Sequence, residues 1–191
     1  MLSARWSIAL ALGGALGACA PPPPPVIAQL PPFSFTAQSG ATVTLAGLAG
    51  HPWVADFIFT RCIAYCPRLT ARMKELRREL PSEVKSVSFT VDPDHDTPAV
   101  LAQYAREWHA DGEVWLFLTG PRERMWTLVQ KGFLLPVEAQ PQVTASPILH
   151  SNRFVLVDGR GRVRGTYEAF DADALDRLRR DLRGIEAERP S

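Results

Sequence analysis

The hardest constraint on how this chain can fold is a nearly continuous apolar run at residues 54–59. It is broken only by Asp56 and leads, through two cysteines, into a helical stretch at 67–80. A short run that is apolar on both faces reads as a strand covered above and below, the habit of parallel sheets sandwiched by helices. The rest of the chain repeats this alternation. Residues 84–91, 114–118, 153–157 and 163–167 read as strands. Helices are expected at 99–108, at 122–131, and from Asp171 through Arg183. Asp96-Thr97-Pro98 offers a cap with proline at a first turn, Pro81 stops the first helix, and Gly132 and Gly184 end the last two. Two hairpins complete the pattern, 33–35 with 42–45 across Ser39-Gly40, and 153–157 with 163–167 across Asp158-Gly159.

Strands alternating with helices, then a hairpin and a final helix, indicate one α/β domain. The expected architecture is a three-layer sandwich of thioredoxin type with an added N-terminal hairpin, spanning 33–184 and followed by a polar tail, 185–191. Ahead of it stand Arg5 and about a dozen apolar residues ending at Gly17. That is too short for a bilayer span of about 20 residues and suits a secretory signal peptide. The segment closes Leu16-Gly17-Ala18-Cys19, which resembles the bacterial lipoprotein cleavage box. The resemblance implies removal of 1–18, a lipid on the Cys19 sulfur, and a membrane-anchored domain on the extracytoplasmic side. Residues 19–32 contain five consecutive prolines and then Pro31-Pro32, and read as a semi-rigid tether. The formal charge is +1, and loss of the signal segment removes Arg5 and no acid, leaving a balanced chain without a basic stripe. That composition argues against nucleic acid as a partner, and a monomer is expected.

The chemistry concentrates at Cys62 and Cys66, where a strand ends and a helix begins. A helix N-terminus favours the thiolate, the form that binds soft metals and attacks disulfides. The C-x-x-x-C spacing is wider than a redox C-x-x-C and lets both sulfurs turn toward one ion, with Cu(I), Zn(II) or an iron–sulfur cluster as soft partners. A structural disulfide is the plain alternative, though so short a loop gains little from closure. Two thiolates need a third ligand. His51 lies in a turn and is expected in solvent, and His109 comes at a helix end, where a cation is favourable and a structural role is expected. His95 sits in the Asp92–Asp96 loop on the same sheet edge as the cysteines. His150 precedes the strand at 153–157, and in a thioredoxin-type sheet the loop entering that strand lies beside the cysteine helix. Asp56, in an otherwise apolar strand before Cys62, reads either as a buried proton acceptor for the thiols or as a partner of Arg61 or Arg68. The Pro-x-x-x-Thr-x-x-Cys setting of a peroxidase is not present.

Three motifs occur in order: Asp56-Phe57-Ile58-Phe59-Thr60-Arg61-Cys62-x-x-x-Cys66-Pro67, then Val91-Asp92-Pro93-x-x-Asp96-Thr97-Pro98, then His150-Ser151-x-x-Phe154-x-Leu156-x-Asp158. Together they resemble the Sco/SenC family of membrane-tethered, thioredoxin-fold copper proteins. The resemblance implies that Cys62, Cys66 and His150 ligate copper, as Cu(I) or Cu(II). It also implies a metallochaperone role in assembling the dinuclear copper centre of cytochrome c oxidase, with the oxidase's copper-site subunit as partner. The alternative is a thiol–disulfide oxidoreductase that uses Cys62, Cys66 and Asp56 to reduce the client's cysteines. One departure stands out. Family members often carry an acid just before the histidine, where this chain has Leu149, so an acid orienting the imidazole is expected from Asp92 or Asp94.

Overall fold

The computed structural model describes residues 21–63, 65–143 and 147–188. The signal segment, Cys19 and its cleavage box lie outside the described residues. The expected α/β sandwich is present. Among the described residues ten strands, β1 (Ala28–Gln29), β2 (Ser34–Ala37), β3 (Thr42–Thr44), β4 (Trp53–Ile58), β5 (Lys85–Thr90), β6 (Trp115–Thr119), β7 (Val137–Ala139), β8 (Ile148–His150), β9 (Arg153–Val157) and β10 (Arg162–Glu168), accompany four α-helices. These are α1 (Cys66–Glu79), α2 (Pro98–Glu107), α3 (Arg122–Thr127) and α4 (Ala172–Ala187).

One sheet runs in the order β1-β10-β9-β4-β5-β6-β2-β3, and β7 pairs with β8 alone. The central strands β4, β5 and β6 are parallel, and β9 and β10 turn antiparallel beside β4. All six residues of β4 are buried, as its apolar run requires. One sheet face carries an aromatic cluster of Trp53, Phe57, Phe89 and Phe133, with Phe33 and Phe35 on Phe89. On the other, Tyr104 of α2 packs on Phe117 and shares a 2.7 Å hydrogen bond with Thr70 of α1. Leu69, Met73 and Leu76 form the buried stripe of α1, spaced as an amphipathic helix demands. α4 joins α1 through an Arg179–Glu79 ion pair.

Caps behave as the sequence suggests at two ends. The Thr97 hydroxyl accepts from Val100 N with Pro98 in the first turn, and the Asp171 carboxylate accepts from Asp173 N at 2.9 Å. Four details differ from expectation. The third helix passes at Leu128 into a π-helical turn ending at Gly132, where an added Cβ would meet Leu128 and Pro31. The β9–β10 loop is longer than an Asp-Gly turn. Gly161 takes the positive φ of 73°, and the Asp158 carboxylate accepts from the Arg160 and Arg162 amides at 3.0 Å. Gly184 does not end α4 but lies inside it. Finally, the proline segment read as a tether rests on the domain. Ala28–Gln29 adds a strand to β10, and the Pro24 carbonyl accepts from the Arg164 guanidinium at 2.9 Å. A proline run has few amides for a sheet, but its carbonyls remain free acceptors.

Candidate metal centre

Cys62 follows β4 and Cys66 opens α1, so the corner between strand and helix holds both sulfurs. They are 3% and 0% exposed and are not disulfide-bonded. The Cys66 amide, at the helix start, donates to Cys62 Sγ at 3.4 Å. The corner is braced from the β5–α2 loop. Buried Asp96 accepts from Thr60 N at 3.1 Å and from the Thr60 and Thr90 hydroxyls. Buried Asp92 accepts from Arg61 Nε at 2.5 Å, and Arg122 bridges Asp92 and Asp94. The Asp92-Pro93-x-x-Asp96-Thr97-Pro98 motif therefore holds the two residues just before Cys62 rather than supplying donors.

β9 runs antiparallel to β4, with Ala55 opposite Val155, so the residues entering β9 reach the edge where β4 ends. His150 arrives there with Nε2 at 3.4 Å from Cys66 Sγ. Its Nδ1 lies 3.0 Å from the Ser151 carbonyl. A carbonyl only accepts, so Nδ1 carries the hydrogen and the Nε2 lone pair faces the sulfur. The Phe59 ring meets the imidazole edge-on at 5.5 Å. Asp92 and Asp94, expected to orient this imidazole, are engaged by arginines; a backbone carbonyl does the work instead. Arg61 and Arg68 do not pair with Asp56 either, since Arg61 holds Asp92 and Arg68 stacks on Phe170.

Asp56 is fully buried, and neither carboxylate oxygen has a hydrogen-bond partner. Ser88 stands opposite it in the ladder with a hydroxyl that accepts from Trp115 Nε1 and keeps its own hydrogen, and its lowering effect on Asp56 is smaller than the effect of burial. Burial pushes the Asp56 carboxyl up to about 7. Cys66 moves in the same direction, well above the ordinary thiol range. The hydrogen bond with Cys62 is the main cause, then burial, with the charges of Cys62 and Asp56 adding to it. The helix N-terminus was expected to favour the Cys66 thiolate; burial beside two other ionisable groups outweighs it. Of the three groups, Cys66 is the one whose anion its neighbours suppress, whereas Asp56 is raised by its own burial.

His51, His95 and His109 are exposed and take no part, and His109 closes α2 with φ 55°. Among the described residues no three His, Cys, Asp or Glu side chains are closed about one centre. The two thiols and the imidazole are gathered, with Cys66 between the other two. What the sequence did not disclose is the rim. Ile63 and Tyr65 are 79% and 60% exposed, and Tyr65 with Leu149 lines a pocket together with His150. The two thiols thus sit buried under an exposed apolar lip, while the half-buried imidazole lines the pocket.

A dithiol and an imidazole at the strand-to-helix corner of a thioredoxin-like sandwich define a class of soft-metal and thiol proteins. Comparison narrows it. The SCO1/SenC family model matches residues 25–184, and the chain belongs to that family. The SCO1 protein homolog of Bacillus subtilis is 33% identical over 163 residues, covering 83% of each chain. A Stutzerimonas stutzeri protein described as copper-binding is 30% identical over 155 residues, 78% of this chain and 74% of that one. Among solved structures, a SCO1/SenC family lipoprotein from Bacillus anthracis superposes with TM-score 0.75 at 32% identity, covering 83% and 95% of the two chains. BsSco, described as having a disulfide switch and belonging to the Sco family of cytochrome c oxidase assembly proteins, gives TM-score 0.78 at 30% identity, covering 90% and 100%.

Proposed function

We propose that this chain carries copper on Cys62, Cys66 and His150 and delivers it to the copper-site subunit of cytochrome c oxidase, from a lipid anchor at Cys19 on the outer face of a membrane. The observation that carries this reading is the His150 Nε2 lone pair, fixed 3.4 Å from a buried thiol that itself contacts a second buried cysteine. Two sulfurs and one imidazole match Cu(I), and Cu(II) takes a further, harder ligand. Copper is cargo here. Its binding displaces the thiol protons, and its charge offsets the suppression of the Cys66 thiolate by Cys62 and Asp56. Asp56, poised near 7, is placed to take up one such proton. The thiol–disulfide reading fits less well, because an attacking thiolate must reach a client sulfur and both sulfurs lie under the rim.

Copper stoichiometry and absorption spectra of reduced protein test the assignment. Wild type is expected to bind one equivalent, Cys62→Ser and Cys66→Ser to lose Cu(I), and His150→Ala to lose the thiolate-to-Cu(II) band. A His150→Ala protein that binds both oxidation states as tightly as wild type would remove the imidazole from the ligand set.

A further inference from the structure

Gly184 is an anomaly in α4, because a glycine inside a helix costs about 1 kcal/mol relative to alanine. The cause lies outside the helix. A Cβ at Gly184 would stand 2.9 Å from the Pro22 carbonyl oxygen and from Pro23 Cα, and 3.0 Å from the Pro21 oxygen. The glycine is a notch in which the proline segment lies. Arg164 provides a second fixing point. It is 3% exposed, and its Nε donates to the Pro24 carbonyl at 2.9 Å. Its Nη1 donates to Asp158 at 3.0 Å and Glu188 at 2.7 Å, and its Nη2 to the same Pro24 carbonyl and to Glu188. Beyond Pro24, the Ile27 amide donates to Val163 O at 2.8 Å and the Leu30 amide to Gly161 O at 3.0 Å. Residues 21–30 are therefore fastened at three successive places.

The notch lies far from the cysteines. α4 begins beside the metal corner, where Phe170 packs under Arg68 of the first turn of α1 and Ala169 O accepts from Arg72 Nε at 3.2 Å. From Ala172 to Gly184 the helix covers about 18 Å at 1.5 Å per residue. The strand neighbours agree. Val163, which receives Ile27, pairs with Val157, and Val157 stands opposite Trp53 at the start of β4, whereas the cysteines follow its end.

We infer that residues 21–30 are a docked strap that fixes the domain on a bilayer surface, with the Cys62–Cys66–His150 edge directed away from the lipid. The inference rests on the lipid at Cys19, which stands only Ala20 away from the first docked proline. A free proline tether would let the domain roll and bring the site to the membrane. A docked one holds it off the lipid and presents it to a partner's extramembrane domain.

The test uses full-length lipoprotein in phospholipid vesicles, with a coumarin amino acid in place of Tyr65 as donor and headgroup-labelled lipid as acceptor. Gly184→Ala fills the notch while favouring the helix, and Arg164→Gln removes the clasp. Wild type is expected to show weak energy transfer, rising at least twofold in both variants, and the Ile27 amide is expected to exchange at least tenfold faster in them. Equal transfer in all three proteins would overturn the orientation. An unprotected Ile27 amide in wild type would overturn the strap, whether or not lipid is present. Vesicle flotation reports separately on the anchor: wild type that fails to float would remove the lipid and with it the orientation, leaving Ile27 to decide the strap.

Discussion

Asp56→Asn separates the charge of the buried acid from its shape. The carboxyl is held near 7 in the folded chain and returns to 3.8 on unfolding. Its folded value is raised, so the folded state binds the proton more tightly. Below about pH 4 the acid is protonated in both states and costs nothing. Between the two values the unfolded state is ionised while the folded state is not, and stability falls by about 1.4 kcal/mol per pH unit. Above pH 7 the penalty levels off at about 4 kcal/mol, a large share of the 5–15 kcal/mol that typically holds a domain together. The carboxamide keeps the volume and the missing hydrogen bonds but not the ionisation. Urea unfolding of copper-free, reduced protein at pH 4, 6 and 8 reads the difference. Asn should match wild type at pH 4 and exceed it by about 4 kcal/mol at pH 8. Parallel stability curves would show that Asp56 does not titrate as an isolated buried acid. A wild type that gains on the variant toward pH 8 would show that the carboxylate is paired.

Three other perturbations follow from the same contacts. Asp96→Ala strands the Thr60 amide and the Thr60 and Thr90 hydroxyls; a loss of about 2–4 kcal/mol in urea unfolding is expected, with weaker copper retention in equilibrium dialysis. At Asp158 burial raises the carboxyl, but hydrogen bonds from the Arg162 amide, Arg164, the Arg162 side chain and the Arg160 amide outweigh it and hold it below the usual range. Its stabilisation is present above about pH 4 and is lost as pH falls through the folded value, so Asp158→Asn should cost about 1–3 kcal/mol at pH 7 and converge with wild type in acid denaturation. Phe89 touches five other aromatic rings, and Phe89→Ala should remove about 3–5 kcal/mol, read as a lowered urea midpoint with the copper spectrum retained in the folded fraction.

The strands and helices were legible because each strong signal was local. The run at 54–59 could only be a doubly covered strand, and the cap at Asp171 lies within hydrogen-bond reach of the helix it starts. The meeting of Cys66 with His150 was legible too, since the order of strands around β4 dictates which loops share an edge. Signals that depend on partners distant in sequence were misread. Gly184 looks like a helix stop until Pro21–Pro23 is placed against it. Asp92 and Asp94 look like candidates for the imidazole until Arg61 and Arg122 claim them. The thiol acidity expected of a helix start failed for the same reason. The helix end acts within one turn, but burial and the neighbouring Cys62 and Asp56 depend on the folded whole.

The two halves of the centre are held differently, and this bears on how a donor set can open. The cysteine corner is tied into the main sheet by Asp96 and Asp92, which grip Thr60 and Arg61 on the strand side, while Leu69 and Met73 bury the helix side. His150 ends β8, whose only strand partner among the described residues is the three-residue β7, and its imidazole is steadied by one backbone carbonyl and the edge of Phe59. Withdrawing the histidine breaks few contacts, whereas withdrawing either sulfur disturbs the core. On the proposed ligand set, release of a shared ion would therefore begin at His150, which lines a pocket with Tyr65 and Leu149. An incoming ligand arriving over that rim would meet the least braced of the three proposed donors first, and the buried thiols would be exchanged only after it.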